Sequence, residues 1–182
     1  MKKILTDTFY KNITENVIKG LEKESNKLIL NKVNWEKEAN KCFKSLTDFF
    51  RKTTLDKLQR NNIDTIGVID ICWNEYDNDI EVDFMPDNNF ATAFKDGCIM
   101  NNSAIDNDDF FKTYFDEDID KSLEEIGDDY QQIILAFYYI IKDIIKLVVQ
   151  QEEFKKIPKK SPCHFGFASF HDQERTKILT IE

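Results

Sequence analysis

Three stretches of the chain place apolar residues three and four positions apart, and two place them two apart. The first helical stretch, 8–30, carries Phe9, Ile13, Val17, Leu21 and Leu28 on one face, with Gly20 weakening its middle. The second, 35–59, carries Trp35, Ala39, Cys42, Phe43, Leu46, Phe49 and Phe50. Asn34 stands before it as an acceptor for a first-turn N–H, and Asn61-Asn62 follows as a stop. The third, 128–155, is apolar over most of its circumference, through Ile133, Phe137, Ile141, Ile144 and Val148, which predicts a buried central helix.

The period of two appears first in 63–85. Ile66, Val68, Ile69, Ile71, Cys72 and Trp73 suit a central strand, apolar on both faces. Ile80, Val82 and Phe84 then alternate with Glu81 and Asp83, which predicts a half-exposed strand ended by Pro86. It recurs in 163–182, where Phe165 and Phe167 alternate with His164, Gly166 and Ala168 before a turn at His171, and Ile178 alternates with Leu179 and Ile181. The segment 87–127 has no clear period and reads as short helices on loops.

These elements predict a single α+β domain over 1–182. Its parts are N-terminal helices (8–59), a hairpin (63–85), an irregular acidic segment (87–127), a central helix (128–155) and a C-terminal hairpin (163–182). The expected core is an antiparallel sheet of four to five strands, made from the two hairpins, with amphipathic helices and the buried central helix packed on it. Each hairpin follows a helix and opens on an apolar-Gly-apolar triplet, Ile66-Gly67-Val68 and Phe165-Gly166-Phe167, so duplication and chance both remain open.

Charge narrows the function classes. With 34 acidic and 25 basic residues the net charge is −9, which argues against nucleic acid and against an anionic membrane surface, and favours a basic partner. Met1-Lys2-Lys3-Ile4-Leu5 is followed at once by Thr6, Asp7 and Thr8, so no signal segment is expected; the apolar run at 130–141 is too short for a bilayer. A cytoplasmic location follows as the expectation. Cys42, Cys72, Cys98 and Cys163 are far apart and form no metal or redox motif.

Two acidic groups are the candidate partner-binding residues. Asp77, Asp79, Glu81 and Asp83 follow the first strand. Asp106, Asp108, Asp109, Asp116, Glu117, Asp118 and Asp120 are interleaved with Phe110 and Tyr114, giving an acidic and aromatic patch suited to a basic protein. Neither group fits an EF-hand, because Gly and Glu are missing at the sixth and twelfth positions. His164 and His171, seven apart, would face opposite ways on one strand. No catalytic residue, metal site or cofactor is predicted.

In size, acidity and fold class, though in no motif, the chain resembles small acidic bacterial proteins that neutralise a toxin by capping it. The resemblance implies a non-enzymatic protein-binding protein, an immunity protein for a basic toxin. The alternatives are a small hydrolase using carboxylates and His, and a structural or assembly subunit.

Overall fold

The structure, a computed structural model, describes residues 3–74, 77–94, 103–116, 118–169 and 174–182. In chain order its helices are α1 (Asp7–Asn12), α2 (Glu24–Leu30), α3 (Trp35–Lys52), α4 (Leu55–Arg60), α5 (Asp108–Tyr114), α6 (Ile119–Ile126), α7 (Tyr130–Val148) and α8 (Glu152–Lys155). The strands are β1 (Ile66–Asn74), β2 (Asp79–Met85), β3 (Ser103–Asp106), β4 (Lys159–Ser169) and β5 (Thr176–Ile181). The chain divides into two compact units, a helical one (Met1–Phe43 with Asn107–Ile145) and a sheet unit (Lys44–Asp106 with Lys146–Glu182).

In the helical unit, the stretch expected as one helix over 8–30 is broken. α1 continues as a π turn and a 3-10 turn to Gly20, after which Leu21 is extended. The break is held open from far along the chain: the Asp129 carboxylate accepts the backbone N–H groups of Glu22 (2.6 Å) and Lys23 (3.0 Å) at the start of α2. At α3 the Asn34 side chain accepts from the Lys37 N–H at 3.0 Å, the cap read from the sequence. The core of this unit is aromatic, with Trp35 against Phe9 and Phe110, and Phe110 against Phe137. Ile133, Ala136, Phe137, Ile140 and Ile141 of α7 are all fully buried, as a helix apolar on most sides requires.

α3 ends at Lys52, short of the expected 59. Thr53 Oγ1 donates back to the Phe49 carbonyl, and Thr54 caps α4 by accepting from the Lys57 N–H. Asn62 takes φ 59°, the left-handed conformation that Asn tolerates, just after α4.

The sheet unit holds a five-stranded sheet in the order β3-β2-β1-β4-β5. It is mixed, which corrects the expected antiparallel sheet: β1 and β4 run parallel, while β2, β3 and β5 pair antiparallel with their neighbours. Local alternation specifies a strand's faces but says nothing about which distant strand lies beside it. The long connection from β1 to β4 is what allows a parallel seam. The two helix–hairpin segments open to opposite sides of that seam, and Gly166 lies beside Asp70 rather than beside Gly67.

The two faces of this sheet differ. Ile69, Ile71 and Trp73 of β1 register with Phe84, Val82 and Ile80 of β2. Phe165 of β4 lies beside Ile69 and Phe167 beside Ile71. Phe49 and Phe50 of α3 meet Phe84, and Phe154 of α8 meets Phe50 and Phe165. The other face carries Asp70, Cys72 and Asn74 of β1 opposite Asp83, Glu81 and Asp79 of β2. Over that face runs the loop 86–94, with Ala93, Phe90 and Phe94 against Val68 and Met85.

A carboxylate-lined face of the sheet

The candidate site starts from a register. Directly opposed residues in an antiparallel pair point to the same side, so Asp70 meets Asp83 across β1 and β2, and Asp79 meets Asp106 across β2 and β3. Two acidic groups that lie apart in the sequence are thereby joined in one sheet. Asn74 ties the row together, donating to Asp77 at 3.0 Å and to Glu81 at 2.6 Å.

Burial corrects the reading of β2. The sequence predicts a half-exposed strand, with Glu81 and Asp83 alternating against Ile80, Val82 and Phe84. It instead lies between β3 and β1 and is buried along its whole length, with Asp79, Glu81 and Asp83 each 7–8% exposed. The row is accessible at one end, where Asp77 and Asp106 are exposed.

Asp70, which the sequence hid inside an apolar run, is the most enclosed member at 2%. Its Oδ2 accepts from Arg175 Nε at 3.2 Å, while its Oδ1 has no donor among the described residues. Burial pushes its carboxyl above the ordinary carboxylate range, against the pull of Arg175. Two cations on this face sit over rings: Arg175 over Phe94 at 5.1 Å and Lys177 over Phe90 at 4.8 Å. Two glycines make room for the loop. A Cβ at Gly67 would collide with the Asp87 carbonyl, and one at Gly166 would lie 2.8 Å from Asp70 Oδ1 and 3.2 Å from the Phe90 ring.

The second acidic group is largely engaged in local work. Asp109 pairs with Lys41, Asp108 with Lys112 and Asp116 with Lys121. Asp118 caps α6, accepting from the N–H groups of Asp120 and Lys121. Asp120 is exposed. The aromatic half of the expected patch is internal: Phe110 is 1% exposed, and half-buried Tyr114 donates to Glu38 at 3.1 Å. Phe110 is therefore a core residue and no surface anchor. Glu117 lies outside the described residues.

Nucleophilic chemistry finds little footing among the described residues. Burial pushes the Cys42 and Cys72 thiols up to about 12 and Cys163 up to about 11, far from thiolate formation. His164 Nδ1 lies 2.9 Å from Thr180 Oγ1, and burial, with Lys177 nearby, holds its imidazole below the usual range. Cys98 and His171 lie outside the described residues. Among the described residues no three His, Cys, Asp or Glu side chains converge to hold a metal ion, and no helix is long and apolar enough to cross a membrane.

Asp70, Asn74, Phe90, Phe94, Arg175 and Lys177 were missed in the sequence. The one available signal was Asp70 itself, a charge inside an otherwise apolar strand. No family model, no curated protein and no solved structure matches the chain.

Proposed function

We propose that the chain is a non-enzymatic binding protein for a basic protein, and that the carboxylate-lined face of the sheet receives the partner's cationic side chains. The observation that carries this reading is the pair of like-charge registers, Asp70 with Asp83 and Asp79 with Asp106, on one face. Opposed like charges destabilise a sheet. A cationic group docked at the open end would relieve that repulsion, so the arrangement trades stability for recognition. The net charge of −9 would speed the encounter with a basic partner. An immunity protein that blocks a basic toxin is the specific form of this reading. It now rests on the sheet face, because the acidic group around α5 and α6 is occupied with caps and ion pairs.

The test is co-purification of the chain from its native host, identification of the partner, and measurement of its affinity for the wild type and for Asp77→Asn/Asp106→Asn. The expected outcome is a basic partner, bound at least about tenfold more weakly by the variant and with a steep salt dependence. An acidic partner, or equal affinity for the two proteins, would overturn the reading.

A further inference from the structure

We infer that Asp70, Gly166 and Phe94 form a guanidinium seat filled in the free protein by the chain's own Arg175, for which an arginine of the basic partner competes. The inference rests on the proposed function and deepens it, since it names the group recognised and the internal residue displaced.

Three observations converge. Asp70 is 2% exposed, yet only its Oδ2 is engaged by Arg175, through a single Nε–H. A carboxylate can accept two parallel N–H bonds from a guanidinium fork, and here Oδ1 has no donor among the described residues. The seat is thus filled by a group that does not use all of it. The wall is aromatic and flat: the Arg175 guanidinium carbon lies 5.1 Å from the centre of Phe94, a geometry that suits a planar cation better than an ammonium. The floor is Gly166, where any Cβ would lie 2.8 Å from Oδ1.

Arg175 is also placed to leave. It stands just before β5, which is an edge strand, and its side chain is 23% exposed while that of Asp70 is 2%. Ends of edge strands open locally at a fraction of the global unfolding free energy. An incoming guanidinium therefore exchanges one cation for another at Asp70 without baring a buried carboxylate.

The test uses the full chain and N-acetyl-arginine amide as the probe, read by calorimetry and by the shift in Tm. Arg175→Ala is expected to bind the probe saturably and to gain Tm with it. N-acetyl-lysine amide should bind roughly tenfold more weakly, because it lacks the planar fork. The wild type should also bind the arginine probe roughly tenfold more weakly, because its seat is occupied. Arg175→Ala/Asp70→Asn should not respond. No saturable response in Arg175→Ala, or an equal response in the double variant, overturns the seat. If Arg175→Ala fails to fold, the NMR signal of Arg175 Nε–H in the wild type decides: the probe should move it and sodium chloride of equal ionic strength should not, and an unmoved signal overturns the seat. No partner protein enters these measurements. Failure here leaves the basic-partner reading standing, and loss of partner affinity for Asp77→Asn/Asp106→Asn bears on that reading alone.

Discussion

The two units place carboxylates indoors for opposite reasons. In the helical unit three enclosed or half-enclosed carboxylates serve backbone N–H groups. Asp129 takes those of Glu22 and Lys23, Glu36 those of Ile4 and Leu5, and Asp143 that of Thr6. Each one fastens the N-terminal segment, and each is a charge-assisted bond that offsets its own desolvation. In the sheet unit the carboxylates are set against one another across strands. The first arrangement ties the chain to itself; the second sets like charges in register, with Arg175 against Asp70.

The comparison can be broken by substitution, beginning with the largest effect. Gly67→Ala should cost about 3 kcal/mol, since the new methyl forces the loop at Asp87 off the sheet; urea unfolding measures it, and a neutral result would mean the loop is not seated there. Asp129→Ala should cost about 2 kcal/mol, because two backbone donors at the start of α2 and the amide of Asn26 lose their acceptor. Faster hydrogen exchange at Glu22 and Lys23 would accompany that loss. In the sheet unit the sign should turn: a double-mutant cycle on Asp70→Asn and Asp83→Asn should report a repulsive coupling of about 0.5 kcal/mol. An attractive coupling would end the contrast between the units.

Titration sharpens the same contrast. Burial would raise the Asp129 carboxyl, but the N–H groups of Glu22, Lys23 and Asn26 together outweigh it and hold the group below its ordinary 3.8. Its contribution to stability is therefore complete above about pH 4 and lost as pH falls through the folded value. Asp70 is raised, so it takes up its proton earlier in the folded state, and protonation adds stability as pH falls through its folded value. Side-chain carboxyl NMR should show Asp70 titrating above 3.8 and Asp129 below it. His164, held below 6.5, opposes Asp70 in mild acid, because the unfolded chain takes up that proton first and stability declines as pH falls through 6.5.

How much was legible in the sequence follows from how local each feature is. The Asn34 cap, the enclosed α7 and the stop at Asn62 each depend on residues within a few positions of one another, and each could be read directly. The break after Gly20 was half legible. The glycine was visible, but its fixing by Asp129 spans more than a hundred residues. Asp79, Glu81 and Asp83 of β2 were conspicuous as composition and misleading as surface, because exposure depends on what lies beside a strand.

By itself the sequence determined the periods, the Asn34 cap, the acidity and an α+β composition, all of which are set by neighbouring residues and by backbone geometry. Only the tertiary structure decided that β1 lies parallel to β4, that β2 is interior, and that Asp70 faces Asp83. The physical reason is that strand pairing joins backbone groups that are the same in every residue, so a strand carries its own two faces but not the identity of its neighbour. Which carboxylates meet, and which cation sits against Asp70, is settled only when the sheet is assembled.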